Sequence, residues 1–218
     1  MSFVRNHLLR DASWSAVYDA MKTNPAVHVF GEGAEIKAHY DAPQMLADFP
    51  DRIHTMPICE GGSTNFAVGA SRLGVVPIVD LIGSDFMFRA MDSICNTAAK
   101  SRYPAPIVIR AEFLTSGPTT GQRIEALFTH IPGLRVVIPS TPQDAYGLMR
   151  TALGTPGVTV YFEDREVEDS ESSDFIKEAL PFGSLCDRLL VKGSHVAILT
   201  YGVMRQRIER LLRTQNFD

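Results

Sequence analysis

Residues 56–62 read MPICEGG and join the end of a predicted strand to the start of a predicted helix. The stretch places a carboxylate, Glu60, directly before two glycines. In a parallel α/β sheet, ligands collect at the carboxyl ends of strands, where glycine lets a backbone or a ligand approach closely. The stretch therefore predicts an α/β fold with a candidate site at Glu60. The alternative is that Glu60 only complements the positive end of the helix, a gain of about 0.3–1 kcal/mol.

Around this stretch, short β-branched runs alternate with longer amphipathic segments. The predicted strands are residues 26–30, 52–56, 75–81, 106–111, 134–139 and 158–163. The predicted helices are residues 11–23, 42–48, 62–72, 85–102, 122–130 and 142–153. This alternation indicates βαβ units. We therefore expect a parallel, twisted sheet flanked by helices on both faces.

The composition changes near the end of the last of these strands. Residues 163–178 read EDREVEDSESSDFIKE, an acidic stretch with little to bury. A predicted strand at 195–201 (HVAILTY) and a predicted helix at 204–213 follow it. One strand and one helix cannot close a core. We therefore expect a first domain over residues 1–163, an acidic linker over 164–192, and the start of an incomplete second α/β domain over 193–218.

Composition narrows the classes of function. The chain has 218 residues and a formal net charge of −4, with no basic run among aromatic residues, so nucleic acid is not an expected partner. No apolar stretch approaches the ~18 residues that cross a bilayer, and the N-terminus lacks a secretory apolar core. The three cysteines show neither disulfide nor metal spacing. We expect a cytoplasmic protein that binds no membrane and holds no metal with its own side chains.

A series of short motifs resembles the β subunits of the E1 component of thiamine-diphosphate-dependent 2-oxo acid dehydrogenases, of the pyruvate, branched-chain and acetoin type. Each motif is weak alone, but their order and spacing match the family over nearly the whole chain. The motifs lie at residues 29–32, 59–62, 66–70, 85–86, 91–94, 96–100, 130–142, 144–148, 180–183 and 200–202. The resemblance implies a transketolase-like pyrimidine-binding domain.

The resemblance implies roles for four residues. Glu60 matches the glutamate that hydrogen-bonds N1′ of the cofactor's aminopyrimidine and thereby activates it. Phe86 falls where the family places an aromatic ring against the pyrimidine, with a buried core aromatic as the alternative, and Ile58 falls where the backbone lines the ring. Glu32 stands at the end of the first strand and is a candidate to face the cleft, with a solvated loop carboxylate as the alternative. The implied activity is oxidative decarboxylation of a 2-oxo acid, or acyl transfer from one.

The implied cofactor is thiamine diphosphate, shared with a partner. The chain has no Gly-Asp-Gly motif, which the family's other subunit uses for the diphosphate and Mg²⁺. We therefore expect an α-type E1 subunit to hold the diphosphate and Mg²⁺, and a second copy of this chain to complete a heterotetramer.

One departure from the family concerns a loop histidine that is expected to help acyl transfer to a lipoyl group. Its position falls on Thr120. A threonine cannot supply a proton donor with a pKa near 7. Acylation of a lipoyl-bearing E2 protein is therefore left open.

Two other classes also stay open. The pyrimidine-binding half of a split transketolase would turn over ketose phosphates, although the loop around Thr120 is poor in the histidines and arginines that bind them. A catalytically silent scaffold or regulatory homologue would bind the cofactor without turnover. The retention of Glu60 before two glycines argues against the scaffold.

Overall fold

The sheet organises the molecule. The computed structural model describes residues 9–35, 42–101, 106–115, 117–168, 177–183 and 191–214. Its six strands are all parallel and lie in the order β2-β1-β3-β4-β6-β5. They are β1 (Val27–Glu32), β2 (Ile53–Met56), β3 (Val76–Gly83), β4 (Pro106–Phe113), β5 (Leu134–Val137) and β6 (Gly157–Asp164). The predicted parallel α/β sheet and its six strands are confirmed, with ends shifted by a few residues.

Helices cover both faces of the sheet. They are α1 (Leu9–Thr23), α2 (Pro43–Asp48), α3 (Glu60–Arg72), α4 (Glu125–Thr129), α5 (Pro142–Gly154), α6 (Arg165–Glu168) and α7 (Gly202–Thr214). On one face, α1 and α5 pack together with Val29, Ile78 and Val108. On the other, α3 packs over alternate strand residues such as Val79 and Ile109. The central strands are buried on both faces, and this explains their nearly unbroken apolar runs.

The helix predicted at residues 85–102 has a different hydrogen-bond pattern. A 3₁₀ helix (Ser84–Ala90) is followed by a π-helix (Ser93–Ala98). Burial recurs at every third residue through Ser84, Met87 and Ala90, which matches the three residues per turn of a 3₁₀ helix. The prediction of a helical segment was right, and the prediction of its α-helical form was wrong.

The predicted strand at residues 195–201 is wrong. The described stretch 191–201 contains no strand, and its apolar side chains, among them Val196, Ile198 and Leu199, are exposed. A strand forms only where a neighbour completes its hydrogen-bond ladder, and no sheet strand lies beside this segment. The predicted helix that follows is confirmed as α7.

Helix α7 docks on the end of the sheet. The Gly202 amide donates to Ser140 Oγ at 2.7 Å, and the Val203 amide donates to Asp164 Oδ2 at 3.2 Å. Arg205 adds an ion pair with Asp144 at 3.0 Å. These contacts join α7 to the body of the first domain, whereas the division of the chain at residues 163 and 193 stays a prediction.

Part of the predicted acidic linker also packs on the domain. The Leu180 amide donates to the Gly147 carbonyl at 3.0 Å, and Thr151 Oγ1 donates to the Leu180 carbonyl at 2.6 Å. A Cβ at Gly147 would stand 2.4 Å from the Leu180 side chain. Helix α5 therefore carries a glycine where this segment crosses it.

Two histidines meet at the β1–β2 edge of the sheet. His28 Nδ1 and His54 Nε2 are 3.0 Å apart, and Phe30 stacks on His54 with ring centroids 4.7 Å apart. Burial, followed by the neighbouring His54 and Arg52, lowers the pKa of His28. The folded chain therefore favours a neutral His28.

The pKa of His28 predicts a loss of stability in acid. The unfolded chain takes up a proton near pH 6.5, whereas the folded chain resists it, so the free energy of unfolding falls as the pH drops below about 6.5. His28→Phe keeps a ring in the stack and should make this decline shallower. Denaturant unfolding at a series of pH values measures it, with the exposed His130→Phe as the matched control. An equally steep decline in His28→Phe would contradict the prediction.

Candidate functional site

A cleft opens between the carboxyl ends of β1 and β3. After β1 the chain passes to β2 on one side, and after β3 it passes to β4 on the other. Such a reversal of direction is where open α/β sheets bind ligands. The cleft is lined by Glu32, Pro57, Cys59, Glu60, Ser63, Asp80 and Leu81.

Glu60 lies at the mouth of this cleft. It is the first residue of α3, where the positive end of the helix favours its negative charge. Thr64 Oγ1 donates to the Glu60 carbonyl at 2.8 Å, which ties down the first turn. Within the described residues, no hydrogen bond or ion pair engages the Glu60 carboxylate. The carboxylate is therefore available to a ligand.

The other predicted site residues divide into two groups. Glu32, at the end of β1, shares the cleft with Glu60. Ile58 is 75% exposed in the connection between β2 and α3, and Phe86 is half-buried in the 3₁₀ helix. Both lie outside the cleft lining. The structure thus brings Glu32 and Glu60 together, and the roles of all four residues stay predictions.

Three lining residues that could bind a ligand or exchange a proton were not identified from the sequence. Asp80, Cys59 and Ser63 belong to the cleft, and Asp80 is 2% exposed. Asp80 could have been predicted from the sequence, because it stands near the carboxyl end of a predicted strand, where ligands collect. Cys59 and Ser63 flank Glu60 without a pattern of their own.

A buried ion cluster supports the cleft from below. Arg110, on β4, is fully buried. Three carboxylates accept its hydrogen bonds: Asp80 at 3.0 Å, Glu112 at 3.0 Å, and Glu163 through two contacts, of which the one from Nε is 3.0 Å. Trp14 covers the guanidinium at 4.9 Å from the ring centroid. Burial by itself would lower the pKa of this guanidinium, but the three carboxylates raise it well above its usual value.

Strand β3 bulges directly after Asp80. Asp80 pairs with Arg110, but the next pair is Gly83 with Glu112, so β3 has one more residue than β4 between these pairs. The bulge contains Ile82 at φ +63°, which a β-branched residue adopts at a cost of about 1–3 kcal/mol. The Ile82 amide donates to Asp80 Oδ1 at 3.0 Å.

The loop that carries Thr120 is anchored beside Phe86. The Asp85 carboxylate accepts from the amides of Gly121 and Gln122, at 3.1 and 3.2 Å. Ser84 Oγ donates to the Gln122 carbonyl at 2.9 Å. Thr120 therefore stands at the end of a loop held by the 3₁₀ helix, and it supplies a hydroxyl where the resemblance predicted the family's imidazole.

Two classes of site lack support. Within the described residues, no three or more histidine, cysteine, aspartate or glutamate side chains are grouped as metal ligands. In the same part of the chain, every helix is too short or too polar to span a bilayer.

Comparisons with known proteins agree on one family. The model for "Transketolase, pyrimidine binding domain" matches residues 7–167. Pyruvate dehydrogenase E1 component subunit beta from Rickettsia conorii is 33% identical, over 96% of this chain and 67% of its own length. The acetoin:2,6-dichlorophenolindophenol oxidoreductase subunit beta of Cupriavidus necator is also 33% identical, over 88% of this chain and 63% of its own. The 2-oxoisovalerate dehydrogenase subunit beta 2 of Arabidopsis thaliana is 29% identical, over 89% and 58%. The chain thus spans 58 to 67% of the length of these relatives.

Solved structures share the fold at lower identity. A split-gene transketolase, described as an inactive beta4 tetramer, superposes with a TM-score of 0.63 at 23% identity, over 77% of this chain and 54% of that one. A transketolase from Leishmania mexicana gives a TM-score of 0.58 at 17% identity, over 77% and 26%. These likenesses establish the fold alone.

The close approach of β1 and β3 at the cleft predicts the effect of Gly31→Ala. A Cβ there would stand 2.6 Å from the Asp80 carbonyl oxygen, and this backbone atom cannot swing aside. We expect a loss of about 1–3 kcal/mol in the free energy of unfolding, measured by urea denaturation. Gly69→Ala is the matched control. Its Cβ would meet nothing within 4 Å, so we expect a gain of about 0.5–1 kcal/mol from better helix propensity. Equal effects of the two substitutions would contradict the prediction.

Proposed function

This chain belongs to the transketolase pyrimidine-binding family and, within it, to the E1 β subunits of 2-oxo acid dehydrogenases, and we propose that it forms the proton-handling wall of a thiamine diphosphate site. The reaction class is oxidative decarboxylation of a 2-oxo acid, or acyl transfer from one. The observation that carries the proposal is the Glu60 carboxylate, which no described residue engages, at the switch point of the sheet.

The charges of the cleft fit one end of this cofactor. Its lining carries the carboxylates of Glu32, Glu60 and Asp80 and no basic side chain. Carboxylates accept hydrogen bonds, so they suit an aminopyrimidine that offers N–H groups and a ring nitrogen able to take a proton. The same charges repel a diphosphate. The carboxylates of the lining thus suit the pyrimidine end of the cofactor, and the diphosphate and Mg²⁺ need a basic or metal-binding wall from elsewhere.

Glu60 would hold and move one proton. Facing N1′ of the pyrimidine, its carboxyl group hydrogen-bonds that nitrogen and shares a proton with it. The helix end and the flanking glycines fix where this carboxyl stands. When bound, thiamine diphosphate supplies the nucleophilic carbon and the electron sink for decarboxylation. Phe86 and Ile58 would bound the ring on its apolar sides.

An α-type E1 subunit would supply the missing wall. The exposed positions of α3 include Gly62, Asn65, Phe66 and Gly69, at the spacing of one helix face. Phe66 is 53% exposed, and glycine within a helix costs about 0.5–1 kcal/mol relative to alanine. No described residue packs against Gly69 to explain that cost. Arg72 is exposed one turn after Gly69 and adds a charge at the end of this face. The part before it carries an exposed aromatic side chain and no charge, and it suits close contact with another subunit. A second copy of this chain would complete the heterotetramer.

The anchored loop around Thr120 bears on the acyl acceptor. A hydroxyl held there cannot act as a proton donor near neutral pH. We therefore propose that acyl transfer to a lipoyl group is slow relative to decarboxylation. A non-lipoyl acceptor, such as an aldehyde or an artificial electron acceptor, would then be used more readily.

Glu60→Gln tests the proton role. The amide cannot exchange a proton, so we expect decarboxylation to fall by about 10²- to 10⁴-fold, while binding of thiamine diphosphate persists. Release of CO₂ from a panel of 2-oxo acids would be measured with the α-type partner, the cofactor and Mg²⁺. The surface variant Glu178→Gln is the matched control and should retain full activity.

The same assay separates the other classes. Undiminished CO₂ release by Glu60→Gln would sink the mechanism. Turnover of ketose phosphates and of no 2-oxo acid would assign the chain to a split transketolase. Cofactor binding without turnover of any substrate would assign it to a scaffold or regulatory role.

Phe66→Asp tests the partner surface. Placing a charge in an interface that excludes water should weaken association with the α-type subunit by about tenfold or more, measured by analytical ultracentrifugation. Leu127→Asp, an exposed apolar position on α4, is the matched control. Thermal unfolding of both variants checks that the fold is intact, and unchanged association of Phe66→Asp would contradict the proposal.

A further inference from the structure

We infer that Asp80, held by Arg110, is a positioning residue that aligns the pyrimidine ring of the cofactor through the bulge at Ile82 and the Phe86 ring behind it. The inference rests on the proposed function, because it concerns the same cleft. The ion pair between Arg110 and Asp80 at the base of the cleft fixes the backbone conformation of β3 in the cleft wall.

Two hydrogen bonds hold the carboxylate of Asp80. Oδ2 accepts from Arg110 Nη1 and Oδ1 accepts from the Ile82 amide, both at 3.0 Å. The carboxylate therefore links a fully buried cation to the backbone of the bulge. Because charged acceptors make stronger hydrogen bonds than neutral ones, ionised Asp80 holds this amide more firmly than a neutral side chain would.

The hydrogen bond from the Ile82 amide to Asp80 maintains an unusual backbone conformation. Ile82 has a φ of +63°, and an isoleucine released from its neighbours returns to negative φ. Unusual backbone geometry of this kind persists only where the surroundings over-determine it, and it clusters at functional sites. The Asp80–Ile82 bond supplies that restraint at the point where β3 enters the cleft wall.

The bulge lies next to Phe86 in the structure. A Cβ added at Gly83 would stand 2.7 Å from Leu114 Cδ1 and 3.3 Å from Phe86 Cδ2, so both side chains lie beside Gly83. Gly83 follows Ile82, so a change of φ at Ile82 moves Gly83 relative to Phe86. Phe86 is half-buried.

Arg110, which donates to Asp80, is itself held in place. Glu163 accepts from Nε and Nη2 of Arg110 and Glu112 accepts from Nη2, while Trp14 covers the face of the guanidinium. The guanidinium therefore has a fixed position from which to orient Asp80. If Asp80 is removed, Arg110 keeps two carboxylates, so an Asp80 variant is expected to fold.

Hydrogen exchange of this chain without cofactor tests the restraint. In Asp80→Ala, the amides of residues 81–88 should exchange about tenfold faster, because the local opening of the bulge becomes easier. Asp144→Asn is the matched control. It removes a buried carboxylate that pairs with Arg205 and lies outside the Arg110 cluster, so exchange in this segment should stay at the wild-type rate. Unchanged exchange in Asp80→Ala overturns the inference.

Cofactor binding tests the positioning. Thiamine diphosphate with Mg²⁺ would be titrated into the complex with the α-type subunit and followed by calorimetry. Asp80→Ala should weaken binding by about 10- to 100-fold, since small misplacements in a preorganised site are costly. Asp144→Asn should weaken it by less than about threefold, in line with a group outside that site.

A second substitution distinguishes positioning from general stability. Glycine adopts positive φ without strain, so it can keep the bulge without Asp80. Ile82→Gly should therefore change cofactor binding little in the wild-type chain and restore it in Asp80→Ala. Failure of Ile82→Gly to restore binding in Asp80→Ala overturns the inference. A wild-type complex that binds no thiamine diphosphate overturns the proposed function as well, whereas equal losses in Asp80→Ala and Asp144→Asn overturn the inference alone.

Discussion

A guanidinium group with no access to water lies under the carboxyl edge of the sheet, and three strands meet its need for partners. Asp80 comes from β3 and Glu163 from β6, while Glu112 shares β4 with Arg110 itself. An isolated buried charge is among the costliest features a fold can contain, so the three strands are constrained to keep these ends in register. The bulge in β3 and the level at which β6 joins β4 are consistent with that constraint. The floor of the cleft is thereby the most fully determined part of the molecule.

The wall of the cleft follows from this floor. Glu32 and Glu60 stand above Asp80 at the point where the chain reverses its direction across the sheet. All three are acids, and an acidic wall can manage protons on a heterocycle but cannot hold a diphosphate. This charge pattern fits the proposed division of labour between two subunits. The exposed face of α3, a helix that begins at Glu60 and carries Phe66, places the proposed subunit contact next to the proposed chemistry.

The strands could be predicted because buried parallel strands carry apolar runs, and Glu60 could be found because it stands between a strand end and a glycine pair. The order of the strands in the sheet could not be predicted, since nothing in residues 26–30 or 75–81 indicates which strands become neighbours. The ion cluster was also hidden. Arg110 is one charge inside an apolar run, and its partners lie 30 and 53 residues away. The segment 195–201 misled for a physical reason: its residues have high β-propensity, but a strand also needs a neighbour. Residues 84–98 were helical in pattern, and their tighter and wider turns reflect packing that the pattern does not encode.

That same segment has a consequence for the material properties of the protein. HVAILTY contains no proline, no glycine and, apart from His195, no acidic or basic residue, which is the composition of sequences that stack into cross-β assemblies. In the folded chain it lies open to solvent instead of being sequestered in a core. We therefore expect different parts of the chain to govern solubility and folding. Tight packing around the sheet resists unfolding, whereas this short exposed segment is expected to limit the concentration that correctly folded molecules tolerate before they associate.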